Sequence, residues 1–195
     1  MANKVKFGLS NVHVLFIESY DAKTKKYTYD TEGIQAIPGA VNISLDPQGD
    51  TTDFYADNIA YFSQAANTGY QGDLEMALIP DWFRQKALGE KVDKNGVQVE
   101  ASDAVQKEFV LFFEINGDTA KTRYVLYRNS VARPSIKGQT TENSISPATD
   151  SMTITAMPRE NDHYTKGSIA SDDTQHKAIY DAWYETMHEP DFTST

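Results

Sequence analysis

The run Glu108–Ile115 (EFVLFFEI) is the most apolar stretch of the chain, and the turn at its end fixes how it can be used. A run of this length and character reads as a strand buried on both faces. Asn116-Gly117-Asp118 then turns the backbone, and Lys121–Ala132 (KTRYVLYRNSVA) returns as a long strand. So short a connection suits an antiparallel pair and leaves no room for the crossover that a parallel pair requires.

The rest of the chain continues in the same style. Val12–Ser19 (VHVLFIES) reads as a strand, Asp21–Lys26 as a polar turn, and Lys26–Asp30 as the start of a return strand. Ala36–Leu45 reads as one strand with Pro38-Gly39 at its start, in which Val41, Ile43 and Leu45 alternate with Asn42 and Ser44. Leu74–Ile79 reads as another. A short helix comes next: Pro80 and Asp81 suit its first turn, Gly89 suits its left-handed exit, and Phe83, Ala87 and Leu88 form its apolar side. Asn95-Gly96 within Lys91–Val99 signals a two-residue hairpin turn. In Asp150–Met157, Met152, Ile154 and Ala156 face one side while Ser151, Thr153 and Thr155 face the other. A helix is expected at about 172–188, with Ser171 as its cap, a stripe of His176, Ile179, Tyr180, Trp183 and Met187, and Pro190 as its stop. The expected fold is mainly β, an antiparallel β-sandwich or barrel with one short flanking helix and a C-terminal helix. Residues 1–158 form the β body, and residues 159–195 form a C-terminal extension reached through a polar connector, Arg159–Ser171.

Between the strands lies a long polar segment, Asp46–Gly72, studded with aromatics. Phe54-Tyr55 and Ile59, Tyr61 and Phe62 flank Ala56-Asp57-Asn58, which reads as the turn of a projecting hairpin.

Charge is unevenly spread over a chain whose net charge is −10. Residues 27–83 hold no Lys or Arg, but hold Asp30, Glu32, Asp46, Asp50, Asp53, Asp57, Asp73, Glu75 and Asp81. Such a segment makes a field of one sign wherever it folds. An acidic balance argues against gripping a nucleic-acid backbone, and says nothing against a protein that must avoid gripping it. The chain has no cysteine, which excludes disulfide frameworks, Cys-based metal sites and thiol catalysis. The N-terminus lacks the apolar stretch of a secretory signal, no run is long enough to span a membrane, and use from the cytosol is the expectation.

Catalytic signatures are absent from the sequence. There is no nucleophile elbow, no Walker loop and no Gly-x-Gly-x-x-Gly. His13, His163, His176 and His188 show no metal-ligand spacing, and the acids near Asn95-Gly96 sit at the wrong offsets for a calcium loop. No cofactor, metal or enzymatic activity is expected.

Four stretches carry a resemblance: Pro38–Gly49 (PGAVNISLDPQG), Asp53–Asn58 (DFYADN), Gly69-Tyr70-Gln71-Gly72 with Glu75–Pro80 (EMALIP), and Arg123–Tyr127 (RYVLY). Lys4–His13 and Thr153–Ala156 with Pro158-Arg159 fit as well. The chain resembles the major tail proteins, or tail tube proteins, of long-tailed non-contractile phages and prophages of Gram-positive bacteria. The resemblance runs from the N-terminus to about Arg159, and Phe54–Asn58 is its most specific part. It implies a β-sandwich of the phage tail tube type and a virion protein assembled in the host cytoplasm. It further implies hexameric rings that stack into a tube, DNA passing through the lumen without specific binding, and tape-measure, tail-tip and tail-terminator partners. It carries over no catalytic residue.

Under this resemblance, Phe54, Tyr55, Asp57, Asn58, Ile59, Tyr61, Phe62 and Tyr70 are the candidates for contacts between subunits, since aromatics are enriched at interface cores. Ser151, Thr153 and Thr155 are the candidates for a polar face on the lumen. Two alternatives stay open. One is a β-sandwich binding module for host-surface carbohydrate, with Tyr55, Tyr61, Tyr70 and Trp82 as its platform. The other is a tail terminator of the same fold that forms a single ring and does not stack.

Overall fold

The computed structural model describes residues 7–56, 58–117, 120–136, 138 and 148–192. Its elements are β1 (Leu9–Asp21), β2 (Lys26–Tyr29), β3 (Gln35–Ala36), β4 (Ala40–Gln48), β5 (Thr51–Ala56), β6 (Ile59–Ala65) and β7 (Gly69–Met76). Next in chain order are α1 (Asp81–Leu88), β8 (Lys91–Val92), β9 (Gln98–Val99), β10 (Phe109–Ile115), β11 (Thr122–Val131), β12 (Asp150–Ala156), β13 (Lys166–Ile169) and α2 (Lys177–Asp181). The chain is mainly β, as expected.

β10 is the middle of the main sheet. Six consecutive residues of it are buried, Phe109 to Glu114, because both of its faces are covered. It pairs antiparallel with β1 on one side and β11 on the other. The sheet runs in the order β2-β1-β10-β11-β12-β7-β4, with β13 also on β11 and β3 also on β1. Alternate residues of β10 enter two different cores. Phe109, Leu111 and Phe113 join Val12, Val14 and Phe16 of β1, Leu74 and Met76 of β7, and Met152 and Ile154 of β12 in the larger one. Val110 and Phe112 join Leu15, Ile17, Val125, Tyr127 and Trp183 in the smaller one.

The larger core takes side chains from strands at both ends of the sheet, with Ile43 and Leu45 of β4 at its margin. The sheet therefore curls around it, so that the outward faces of β1, β10 and β11 point away from those of β12, β7 and β4. A corner at Pro38-Gly39 assists the curl. Ala36–Leu45 is not one strand: β3 pairs with β1, and β4 pairs with β7. Gly39 takes φ 90°, a conformation costly for other residues. α1 lays Phe83, Ala87 and Leu88 into the larger core, where Phe83 meets Phe109 edge-on at 5.5 Å between ring centroids. Pro80, expected in its first turn, stands just before it in an extended conformation, and Gly89 ends it at φ 74° as expected.

Three local expectations need correction. The strand expected at Leu74–Ile79 begins earlier, at Gly69, and ends at Met76, where the Ala77 N–H turns to the Gly39 carbonyl at 2.7 Å. The Asn95-Gly96 turn closes a three-residue loop rather than a two-residue one, through the Asp93 N–H to Val97 carbonyl bond at 2.9 Å. The helix expected at 172–188 is confined to Lys177–Asp181. Before it, Asp173 Oδ1 accepts the N–H groups of Gln175 at 3.1 Å and His176 at 3.2 Å and holds a turn. After Asp181 the chain continues in turns, with the Trp183 N–H on the Tyr180 carbonyl at 3.3 Å. So short a helix has no stability of its own, and packing holds it.

The polar stretch 159–171 contains β13, whose Arg123↔Ile169 to Leu126↔Lys166 register extends the sheet. Residues 159–192 then lie over β1, β10 and β11, with Tyr164, Tyr184 and Met187 packed against the smaller core.

Candidate functional site

β4, β7 and β12 turn their apolar residues inward and present an outer face on which the C-terminal segment does not pack. Leu74 and Met76 of β7 and Met152, Ile154 and Ala156 of β12 are buried, so their neighbours along each strand face outward. Backbone register puts these outward residues in rows. Asn42 and Ser151 flank Glu75, Ser44 and Thr153 flank Asp73, and Asp46 and Thr155 flank Gln71. Ser130 of β11 extends the last row next to Thr155. Ser151, Thr153 and Thr155 therefore share one face, as their alternation predicts, and the structure sets Asn42, Ser44, Asp46, Gln71, Asp73 and Glu75 beside them.

The electrostatics of this face are one-sided. β4, β7 and β12 contain no Lys or Arg, and three of the residues in the rows are acids. The Thr153 hydroxyl donates to Asp73 Oδ1 at 2.8 Å, and the Thr149 hydroxyl donates to Glu75 Oε1. Asp73 and Glu75 are thus held in place by neutral donors, and no base stands in the rows. Gly72 lets β4 approach closely, since a Cβ there would lie 1.8 Å from the Ser44 carbonyl oxygen.

The sequence contained a signal for the missed acids. Gln71, Asp73 and Glu75 alternate with Gly72, Leu74 and Met76 over the whole of β7. Reading the strand from Leu74 hides that period.

The hairpin forms as expected from β5 and β6, which among the described residues pair only with each other. Phe54 sits opposite Phe62 in register, and the turn places Asn58 at φ 60°. Tyr55, Ile59, Tyr61 and Phe62 are exposed, between 56% and 73% of full accessibility, and Asn58 is exposed with them. Asp57 lies outside the described residues. Tyr70 does not belong to this group: it is half-buried against the larger core, with Lys166 Nζ 5.0 Å from its ring centre. Trp82 also packs against that core. The platform of Tyr55, Tyr61, Tyr70 and Trp82 is therefore split between the hairpin, the start of β7 and α1.

Among the described residues, no group of three or more His, Asp or Glu side chains is placed to hold a metal ion, and no helix is long and apolar enough to cross a membrane. No protein-family model matches the chain, and no curated protein matches it significantly in sequence.

Proposed function

We propose that this chain is a structural virion protein, the subunit of a phage tail tube, which assembles into stacked hexameric rings around a conduit for DNA. The observation that carries this reading is the outer face of β4, β7 and β12. It is polar, acidic and free of basic residues on those strands. A conduit for DNA needs such a wall. Each lysine that met a phosphate would release counterions and hold the duplex, whereas carboxylates repel it and keep it centred.

Two further features support assembly. β4 is the last strand of the main sheet, and an open edge of this kind invites pairing with a neighbour's strand. A closed ring of subunits removes every such edge. The β5–β6 hairpin is a two-stranded unit with four large exposed side chains, a marginal structure in water unless something packs on it. Contacts between rings would supply that packing through Tyr55, Ile59, Tyr61 and Phe62. Tape-measure, tail-tip and terminator proteins would be its partners, and its place would be the virion.

Negative-stain electron microscopy of the purified chain over a concentration series, with sedimentation of the same samples, tests this reading. Hollow tubes are expected. Single rings at every concentration would favour a terminator that does not stack. A chain that stays monomeric even when the tail-tip complex is supplied as initiator would overturn the proposal.

A further inference from the structure

Two Asn-Gly pairs stand at strand ends in this chain, Asn95-Gly96 between β8 and β9 and Asn116-Gly117 after β10. In such a pair the glycine's backbone nitrogen can attack the side-chain amide carbon of the asparagine, because glycine has no Cβ to hinder the approach. Whether the attack happens depends on whether the fold lets the two atoms meet, and the fold treats the two pairs oppositely.

Asn116 is clamped. Its N–H donates to the Gly8 carbonyl at 2.9 Å, and its Nδ2 donates to Ser10 Oγ at 2.6 Å. Gly117 is buried, and a Cβ on it would lie 2.3 Å from the Phe7 backbone nitrogen. The space around Gly117 is therefore already filled, and ring closure there must break the Ser10 bond and push Phe7 aside.

Asn95 is open. It and Gly96 are both exposed, and a Cβ on Gly96 would meet nothing within 4 Å. Asp93 holds this tip. Its carboxylate accepts the Asn95 N–H at 2.8 Å, the Val97 N–H at 2.9 Å and Asn95 Nδ2 at 3.2 Å, and its carbonyl accepts the Gly96 N–H at 3.1 Å. The two of these bonds that the attack must break, at Asn95 Nδ2 and at the Gly96 N–H, are the two longest. Both face solvent, where water replaces them at little net cost.

We propose that Asn95 is a site of spontaneous deamidation in the folded protein and that Asn116 is spared. The step needs only water. The Gly96 nitrogen gives its proton to solvent base and forms a bond to Asn95 Cγ. The Cγ–Nδ2 bond breaks, and Nδ2 leaves as ammonia with a proton from solvent. Water then opens the resulting succinimide at either carbonyl and leaves aspartate or isoaspartate. Both products loosen the hairpin. A new carboxylate stands where Nδ2 faced Asp93, so a hydrogen bond becomes a like-charge contact. Isoaspartate also adds a backbone atom to a loop that the Asp93 N–H closes on the Val97 carbonyl at 2.9 Å. Among the described residues β8 and β9 pair only with each other, so no third strand holds them. The inference needs only the single chain and is independent of the tube.

Incubation of the full chain at neutral and mildly alkaline pH, followed by tryptic peptide mass spectrometry, tests it; Lys107 puts the two asparagines in different peptides. The Asn95 peptide should gain the mass difference between an amide and an acid, take up heavy oxygen from labelled water, and split into two products. Its conversion should quicken with pH, because the attacking nitrogen must lose its proton. It should outpace that of Asn116 by about tenfold or more, the factor that one hydrogen bond broken beforehand makes in a rate. In urea, with Phe7 and Ser10 released, the two should convert at similar rates. Asn95→Gln, whose longer side chain cannot close the same ring, should stop the change at this position. In the aged protein the Val97 N–H should exchange with deuterium faster than in the fresh one. Equal rates at Asn95 and Asn116 in the folded chain would overturn the proposal. So would an Asn95 that converts in urea but not when folded, since the Asp93 bonds would then be protecting it. Unchanged exchange at Val97 after conversion would overturn the loosening of the hairpin.

Discussion

Arg159 is only 1% exposed, which for a guanidinium requires compensation on every side. Its Nε donates to Asp162 Oδ1 at 3.1 Å, Nη2 donates to Asp162 Oδ2, and Nη1 donates to Glu189 Oε2 at 2.7 Å. The Tyr127 ring lies 4.6 Å from its central carbon. One buried side chain thereby ties the beginning of the C-terminal segment to its end and both to β11. Arg159→Ala would leave a cavity beside Tyr127 and untie Asp162 from Glu189, and should destabilise the fold by about 2–4 kcal/mol. Arg133→Ala, which removes the solvent-screened Arg133–Glu100 pair at 2.7 Å, should leave stability close to that of the parent. Urea denaturation of the two variants checks the contrast, and equal losses would contradict it. Nothing in the sequence marks Arg159 as buried, because a lone Arg in a polar stretch has no periodicity and its partner Glu189 lies 30 residues on. Trp183 was more legible, since its place in a stripe with His176, Ile179, Tyr180 and Met187 already gave it an inward side.

The C-terminal segment as an element shows where pattern reading ends. Of its expected stripe, Tyr180 and Trp183 are buried and Met187 is half-buried, while His176 and Ile179 are exposed. The length of its helix was not legible, since a turn held by Asp173 precedes it and only Lys177–Asp181 is helical. β13 left no trace either, since Lys166–Ile169 has a glycine in its middle and is four residues long. What fixes this element is its contact with the body, and three tyrosines record that contact. Burial pushes the Tyr127 phenol up to about 12, and it also pushes up those of Tyr29 and Tyr184, with Glu189 and Glu114 respectively adding to the rise. A phenol whose folded pKa is raised keeps its full contribution to stability below the ordinary value of 10.0. Above it, the unfolded chain loses the proton first, and the contribution falls as pH rises towards the folded value. Stability should therefore hold up to about pH 10 and decline above it, releasing Trp183 to water as the segment lifts. Urea midpoints read from tryptophan emission at stepwise pH would show this, with a shallower alkaline decline in Tyr127→Phe. An unchanged slope in that variant would place the alkaline weakness elsewhere.

At the scale of the whole molecule, the curled sheet divides the surface into a covered side and a bare acidic side. Strand alternation foretold that β4 and β12 each had a polar face. It could not foretell that the two would share one wall, because β7 joins strands about a hundred residues apart in the chain, and such pairings leave no local signal. The run of nine acids in residues 27–83 is likewise resolved only by the fold. Asp30 and Glu32 both meet Lys86, at 2.8 and 2.7 Å, and are neutralised there. Asp81 opens α1, where the helix dipole favours a negative charge. Asp46, Asp73 and Glu75 go to the bare wall, so in the proposed tube this wall and not the acidic composition as a whole would face the DNA. Placing lysine at Ser44 and Thr153, on either side of Asp73, would reverse the sign at its centre without touching either core. Phage carrying Ser44→Lys with Thr153→Lys should still build tails of normal length but eject DNA more slowly. The delay should shrink as salt rises, because each newly contacted phosphate adds about 0.9 to the slope of log affinity against log salt. Tails that fail to form would mean that this face is an interface between subunits. Normal tails that eject at the parental rate at every salt concentration would mean that DNA does not pass along it.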